Sequence, residues 1–407
     1  MSRTTSVETP YGWLVVAASV LLITIGNGAT YIPIVALKAI ASDFEWPRAI
    51  PALGYSLVML GAGLGGVFAG RWSDRSGMAP PLTVGIVMIG LGCVLTSYAG
   101  NVVTFLCAQG LFIGLLGNAA LYGPLVANIT RWFDVRRGLA VGVVATGQAM
   151  AGAIWSPVFR VAVDTVGWRD TFFYYGLFLA ITLLPLVLVF RRRAPAPEVT
   201  GAAALAEGQT AISASSRTVM IWLCVAIIGC CVAMSMPLVH LVSHVSDLGF
   251  GLGNGAAVLS VALAGAFVSR LTWGAVSDRI GGIATLLLTS AWQALALLGL
   301  ALVDGLTAIF LVAAFFGLGY GGIVPAYAVI VREVFDASHV GRRLGVVVMF
   351  GTIGMAMGSW LAGAIYDVAG SYSPAFFVGY LFNLLNLAIV SFLLGRWRHR
   401  GATVRYA

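Results

Sequence analysis

The chain is 407 residues long, 60% hydrophobic and only 9% charged, with a mean hydropathy of +0.97. This composition excludes a water-soluble globular domain and places the chain in a lipid bilayer. The formal charge of +8 would indicate a nucleic-acid partner in a soluble protein. Here the basic residues lie mainly in the turns between apolar runs, which is a topological signal, so we expect no nucleic-acid partner.

Apolar runs of about 20 residues or more predict an all-α membrane protein with twelve transmembrane helices in two pseudo-symmetric six-helix bundles. The predicted helices are 11–36, 51–72, 79–98, 102–130, 139–162, 168–190, 218–242, 254–276, 283–303, 306–331, 344–366 and 374–395. We therefore expect an N-terminal bundle at 1–190, a linker at 191–217, a C-terminal bundle at 218–395 and a tail at 396–407.

Of the 23 basic residues, 18 fall on one side of the predicted bilayer, the others being Lys38, Arg48, Arg160, Arg169 and Arg270. The positive-inside rule makes that side cytoplasmic, together with both termini and the linker. The first apolar run is too long for a signal peptide, so the first helix is expected to be retained. We expect a monomeric multi-pass protein of the bacterial inner membrane.

An internal repeat gives the strongest indication of architecture. The loop GRWSDRSG at 70–77 returns as GAVSDRIG at 274–281, and Asp43 returns as Asp247. Phe133-Asp134 returns as Phe335-Asp336 and Asp164 returns as Asp367, so that the four offsets are 202 to 204 residues. Repeats of this length predict two duplicated bundles that rock about a central site near the middle of the membrane. This scaffold favours secondary transport, because the sequence contains no filter-like segment or ring of like charges typical of a channel.

The duplicated loop is predicted to act as a conformational latch. Its glycines are expected to allow close helix approach, and its aspartates to cap a neighbouring helix N-terminus and to pair with arginine. The alternative is a set of solvated loop charges that only follow the positive-inside rule. The pattern resembles the signature loop of the major facilitator superfamily, which implies a latch for the outward-facing state. The predicted latch residues are Gly70, Asp74, Arg75, Gly77, Gly274, Asp278, Arg279, Gly281, Arg136 and Arg137.

Arg270 is the one charge inside an apolar run, and no acidic residue lies inside any such run. Placing an arginine there costs about 3 kcal/mol on insertion scales. A carboxylate on the substrate would accept its bidentate fork. The alternative is that the side chain reaches the membrane surface or binds helix-end carbonyl groups.

Helical spacing gives Arg270 a set of predicted substrate-binding companions, although packing between helices is an equally open reading of each. His240, near the end of the seventh helix, is open to three readings: a proton carrier, a gate or a hydrogen-bonded helix-end histidine. The companions are Asn27, Tyr31, Asn118, Tyr122, Gln148, Tyr327 and His240.

Further residues resemble the monocarboxylate transporters and the oxalate/formate antiporters. They are YGW at 11–13, Asp43 with Trp46 and Arg48, RWFDVRRGLAVG at 131–142, GWR at 167–169, and the arginine of helix 8. The resemblance implies that Arg270 holds the substrate carboxylate.

The sequence departs from these families in three places. The animal members have a lysine on helix 1 that couples proton movement, and the corresponding position here is near Tyr31. They also have an acidic residue one turn before the arginine, which is replaced here by Ala266. Both departures put proton coupling by that route in doubt. The second cation that the oxalate antiporters carry on helix 11 is absent, which favours one carboxylate over two.

We therefore expect a secondary transporter of a small organic anion, and a monocarboxylate is the substrate class that these residues favour. A co-transported proton, uniport and exchange all remain open. The rival functions are an exporter of apolar drugs, an antiporter of the oxalate/formate type and a transport-dead sensor. No catalytic, metal-ligand or cofactor-binding pattern is present, and the five cysteines lie in apolar runs without disulfide or metal spacing, so no enzyme, metal or cofactor is expected.

Overall fold

The computed structural model of the chain describes residues 8–133, 136–192, 216–335 and 340–404. Within these ranges the chain forms helices and turns, with no β-strand. Eleven helical stretches in this part are long and apolar enough to cross a membrane. One of them, Leu139–Arg191, turns at Gly167 (φ 83°) and contains two of the predicted helices. The predicted all-α fold with twelve spanning helices is confirmed.

We label these helices α1 to α12 in chain order. The first six are α1 (Pro10–Val35), α2 (Ala49–Ser76), α3 (Ala79–Ser97), α4 (Val102–Ile129), α5 (137–166) and α6 (168–186, continued by a 3₁₀ turn at Val187–Arg191). The second six are α7 (Ser216–Asp247), α8 (Gly251–Ile280), α9 (Gly282–Leu302), α10 (Leu306–Tyr320 and Ile323–Val334), α11 (Val340–Ala369) and α12 (Ser373–Val404). Several helices run past their predicted ends, because polar residues at the membrane surface continue the helical hydrogen bonding.

The chain divides into two compact units. The first unit comprises Met1–Glu198 together with Val245–Ser260, and the second comprises Val199–His244 together with Val261–Ala407. The end of α7 and the start of α8 thus group with the first six helices. Most of the predicted linker, residues 193–215, lies outside the described residues, as do the side chains of the predicted tail.

Both units are built by close packing of small residues, with large apolar side chains on the outside. Phe68, Ile181 and Leu311 are all more than 60% exposed, as expected for side chains that face lipid. In the first unit, a Cβ at Gly65 would lie 2.3 Å from the carbonyl oxygen of Leu115. In the second unit, a Cβ at Gly317 would lie 2.0 Å from the carbonyl oxygen of Ala262. Without a hydrophobic drive between helices in lipid, such backbone contacts supply the packing energy.

The backbone conformation repeats with the sequence. Gly77 and Gly281, which separate α2 from α3 and α8 from α9, have φ values of 84° and 81°. Gly167 and Gly370, which separate α5 from α6 and α11 from α12, have φ values of 83° and 72°. Positive φ at matched positions lets each helix end in the same sharp turn. The internal repeat therefore extends to the geometry of the turns.

Candidate functional site

Helix α4 is irregular through its middle. It passes from an α-helix at Val102–Cys107 into a π-helix at Ala108–Gly117 and a 3₁₀ turn at Asn118–Ala120, then resumes as an α-helix at Tyr122–Ile129. The side chain of Asn118 lies at this break, and the residue is only 5% exposed. Neither of its amide atoms has a hydrogen-bond partner among the described residues. A buried amide of this kind is destabilising unless a polar group meets it.

Helix α1 is broken at the same level. Its α-helix Pro10–Gly26 is followed by a 3₁₀ turn at Asn27–Thr30. A Cβ at Gly26 would lie 2.3 Å from Cδ1 of Leu121, so the breaks in α1 and α4 are in direct contact. This contact brings the segment that carries Asn27 beside the segment that carries Asn118 and Tyr122.

Side chains from α5 and α6 hold the break in α1. The indole Nε1–H of Trp155 donates to the carbonyl oxygen of Thr24 at 3.0 Å, and the hydroxyl of Tyr175 donates to the carbonyl oxygen of Ile25. The hydroxyl of Thr24 donates to the carbonyl oxygen of Gly147 at 3.2 Å. Inside a membrane, an interrupted helix is tolerated where neighbouring helices satisfy its backbone in this way.

The structure therefore gathers the predicted site residues of the first unit near one level of the bundle. Asn27 is buried, and its Nδ2 donates to the carbonyl oxygen of Ile23 at 3.1 Å. Tyr31, Tyr122 and Gln148 are partly exposed. Gln148 follows Gly147, whose carbonyl group is bonded to α1.

In the second unit, Arg270 lies on α8 beside a break in α10. The break falls between Tyr320 and Ile323, and it leaves the carbonyl oxygen of Leu318 to accept from the hydroxyl of Ser269 at 2.7 Å and from the indole of Trp273 at 2.9 Å. Ser269 and Trp273 flank Arg270 along α8. Tyr320, at the break itself, is buried.

The repeat places Gly66 of α2 at the position of Arg270, 204 residues apart. Gly65, the equivalent of Ser269, packs against Leu115 and Ala119 of α4. The same helix pair thus forms in the first unit without any side chain at the position of the arginine. The helix contact does not require the charge.

Two predicted site residues of the second unit take part in packing contacts. Tyr327 is fully buried and its hydroxyl donates to Oδ1 of Asn386 at 3.0 Å, within a polar network that includes Ser290. His240 is also fully buried, and its Nε2 lies 2.8 Å from the carbonyl oxygen of Ser359. Because a carbonyl only accepts, the proton is on Nε2. A substrate-binding role for either residue stays a prediction.

The predicted latch forms one ion pair among the described residues, between Asp74 at the end of α2 and Arg131 at the end of α4. No side chain of the described residues caps the N-terminus of α3, so capping of that helix by Asp74 is not found. A Cβ at Gly70 or Gly274 would meet no described atom within 4 Å, so the expected close helix approach is not found there either.

The remaining predicted latch residues take varied positions. Arg75 and Arg279 are exposed, and Gly77 and Gly281 form the turns described above. The backbone N–H of Arg136 donates to the carboxylate of Glu8. The side chains of Asp278 and Arg137 lie outside the described residues.

Two further charge clusters were not assigned from the sequence, although their residues stood out there. Asp247 at the end of α7 binds Nζ of Lys38 at 2.9 Å and both terminal guanidinium nitrogens of Arg48. Its repeat counterpart Asp43 binds Nη2 of Arg169 at 3.1 Å. The two equivalent aspartates therefore both hold cations at the ends of helices.

The burial of Arg160 on α5 was not expected from the sequence, which places this arginine near the end of a helix. The residue is only 6% exposed. Its Nε donates to Oδ2 of Asp164 one turn later at 2.6 Å. Its Nη1 is buried and has no hydrogen-bond partner among the described residues.

Comparison with known proteins agrees with this architecture. The family model described as "Major Facilitator Superfamily" matches residues 16–308 and 221–405. Monocarboxylate transporter 13 of Rattus norvegicus is 27% identical over 95% of this chain and 90% of its own length. Monocarboxylate transporter 11 of Homo sapiens is 28% identical over 90% of this chain and 79% of its own length.

Bacterial relatives and solved structures extend the comparison. The uncharacterized MFS-type transporter YhjX of Escherichia coli is 25% identical over 76% of this chain and 77% of its own length. A bacterial homologue of the human lysosomal transporter Spinster, solved in an inward-facing and occupied conformation, has the same fold. It aligns with a TM-score of 0.66 and 14% identity over 98% of both chains. The chain is thus a multi-pass membrane protein that belongs to the Major Facilitator Superfamily of transporters, with monocarboxylate transporters among its relatives.

Proposed function

We propose that this transporter moves a small monocarboxylate by alternating access and that Arg270 binds the carboxylate group. The observation that carries the proposal is the position of Arg270. It lies on an apolar helix beside the break in α10, and the equivalent position of the first unit is Gly66. Since the helix contact forms without a side chain there, packing does not call for an arginine at this position, and an ionisable residue inside a membrane helix is a candidate for a functional site.

The chemistry of the neighbouring groups supports an anionic substrate. A guanidinium group offers a planar fork that fits the two oxygens of a carboxylate, and such charge-assisted hydrogen bonds are stronger than neutral ones. The hydroxyl of Tyr320, a buried residue at the break in α10, is a further group that can donate to an anion. The two relatives named as monocarboxylate transporters point to the same substrate class.

The first unit has its own candidate hydrogen-bonding groups for a substrate. Asn118 has a buried amide without a partner among the described residues, and it lies at the contact between the breaks of α1 and α4. Interrupted helices commonly form the substrate sites of secondary transporters. Asn27, Tyr31, Tyr122 and Gln148 are the further candidates in this unit.

We place both termini and the linker in the cytoplasm of a bacterium, following the basic residues. We assign no co-transported ion. Lys38 forms an ion pair with Asp247 at the end of α7. A monocarboxylate can cross the membrane alone, by exchange or together with a proton.

The test is uptake of labelled lactate, benzoate, formate and oxalate into proteoliposomes, with and without a pH gradient and with preloaded substrate. We expect uptake of a monocarboxylate that falls at least tenfold in Arg270→Gln and recovers partly in Arg270→Lys, which keeps the charge but not the fork. The matched control is Arg191→Gln, which removes an exposed arginine at the end of α6.

The arms of this experiment separate the alternatives. Stimulation by an inward proton gradient would indicate symport, and uptake that depends on preloaded substrate would indicate exchange. Uptake of oxalate in preference to monocarboxylates would favour the antiporter function. Carboxylate uptake that is absent, or unaffected in Arg270→Gln, would contradict the proposal and favour export of apolar drugs.

A further inference from the structure

The first unit contains a cavity of about 100 Å³ where four helix ends meet. Its lining comes from the end of α2, the start of α3, the end of α4 and the end of α6. Because successive helices cross the membrane in alternate directions, these four ends lie at the same membrane surface. A space of this size holds a few water molecules of ~30 Å³ each. It is therefore large enough for a single phosphate group.

The charged groups that line this cavity leave a net positive charge. Asp74 contributes a carboxylate, and Arg131 compensates it in an ion pair through Nη2. Arg192 adds a second guanidinium group, which lies 5.0 Å from the centre of the Tyr11 ring. Among the described residues no carboxylate pairs with Arg192. An anion that entered the cavity would meet one uncompensated cation and the remaining N–H groups of Arg131.

The side chain of Asn128 is the second, independent observation. The residue is only 9% exposed, and it lines the cavity. Its side-chain amide can therefore meet a polar ligand in the cavity. An amide N–H can donate to a phosphate oxygen just as a guanidinium group does.

The start of α3 adds positive potential at the same place. Gly77 and Met78 line the cavity, and α3 begins at Ala79 with no side-chain cap and no acidic residue in its first turn. The N-terminus of a helix carries a partial positive charge that favours anions, and here it acts mainly through this charge, because Pro80 and Pro81 have no N–H to donate. The apolar part of the lining, which includes Phe190 and Pro124, suits a ligand with a less polar portion beside its charge.

We infer that this cavity binds a phosphate group, with Arg192, Arg131 and Asn128 as its ligands. The level of the cavity at the membrane surface favours the headgroup of an anionic phospholipid as the source, because basic pockets between membrane helices bind such headgroups. A bound phosphate would share Arg131 with Asp74 and so weaken their ion pair. This site is separate from the carboxylate site proposed at Arg270 and does not depend on it.

The test is a binding titration of the purified full-length protein in a non-ionic detergent. The probes are dioctanoyl phosphatidylglycerol, inorganic phosphate and dioctanoylglycerol, which lacks the phosphate. We expect the phosphatidylglycerol to bind in a salt-sensitive manner and Arg192→Gln to weaken its affinity by about tenfold or more, as for loss of a charge-assisted hydrogen bond. Asn128→Ala should weaken it several-fold, and it serves as the second variant if Arg192→Gln folds poorly.

Arg191→Gln is the matched control, because it removes the same charge from the neighbouring residue, which does not line the cavity. Its affinity should stay within twofold of the unmodified protein. Binding of inorganic phosphate with the same dependence on Arg192, but no binding of the lipid, would assign the site to a soluble phosphate. Equal losses in Arg191→Gln and Arg192→Gln, equal binding of dioctanoylglycerol, or no binding of either phosphate probe would overturn the inference.

Discussion

Arg270 of α8 and Gly66 of α2 occupy equivalent positions in the two repeats, one with the largest cationic side chain and the other with none. Around both positions, small residues of one helix pack on the broken middle of another, Gly65 on Leu115 of α4 and Ser269 on Leu318 of α10. Duplication kept the helix contact and the two halves diverged in the charge. The helix contact does not depend on the arginine, which is therefore a candidate for a functional role.

This relationship predicts that Arg270→Gln does not destabilise the protein. Removal of a membrane arginine recovers up to about 3 kcal/mol of insertion cost, so we expect thermal unfolding of the purified protein, followed by tryptophan fluorescence, at an unchanged or higher Tm. The contrasting variant is Gly317→Ala, whose new Cβ would lie 2.0 Å from the carbonyl oxygen of Ala262 and should lower the Tm by several degrees. A fall in Arg270→Gln as large as that in Gly317→Ala would show a structural role for the arginine.

Asn118 should show opposite effects on stability and transport. Asn118→Leu replaces a buried amide that has no described partner with an apolar side chain, so we expect stability to rise by about 1 kcal/mol or more. If the amide binds substrate, the same variant should raise the KM for uptake by about fivefold to tenfold, equivalent to one lost hydrogen bond. The exposed Asn254→Leu on α8 is the control for both measurements. Loss of stability in Asn118→Leu would indicate that the amide is bonded within the protein.

Asp164 should be essential for stability because it neutralises Arg160. Asp164→Asn leaves a guanidinium group that is nearly fully buried without its counter-ion, and we expect a loss of about 2–3 kcal/mol, less than for a fully buried pair since the side chain of Asp164 is 58% exposed. The double variant Arg160→Met/Asp164→Asn should recover most of this loss. Asp170→Asn, at an exposed position, provides the control. The measurement is the Tm of each purified variant, and a double variant less stable than Asp164→Asn would contradict the explanation.

The cluster at Asp247 predicts a rank order between two cations. Arg48 makes a bidentate contact and its side chain is 14% exposed, whereas Lys38 makes a single contact to the carboxylate and is 29% exposed. We expect Arg48→Gln to cost about 1–2 kcal/mol and Lys38→Gln less than about 1 kcal/mol. High salt should reduce the difference. The comparison uses Tm values at low and high ionic strength, and a larger effect of Lys38→Gln would reverse the assignment.

The breaks in α1, α4 and α10 were not predicted, although the residues that cause them are visible in the sequence. Each broken helix combines glycine or asparagine with a proline within an apolar run: NGATYIP at 27–33, GNAALYGP at 117–124 and GLGYGGIVP at 317–325. Glycine and proline interrupt helices because one lacks a side chain and the other lacks an N–H. The sequence nevertheless predicts these runs as continuous helices, since hydropathy is indifferent to a local change in hydrogen bonding.

Hydropathy, charge placement and the internal repeat were sufficient to predict the number of helices, their order and the duplication, and the resemblance of the repeated loop indicated the transporter family. These properties depend on local composition and on the thickness of the bilayer, so each stretch of sequence carries its own signal. The contacts between helices could not be predicted in this way. The pairing of Asp74 with Arg131, the burial of Arg160 and the contact of Gly26 with Leu121 are seen only in the folded bundle. Those contacts join residues far apart in the chain, and which side chains meet depends on how whole helices pack, a property that no short stretch of sequence contains.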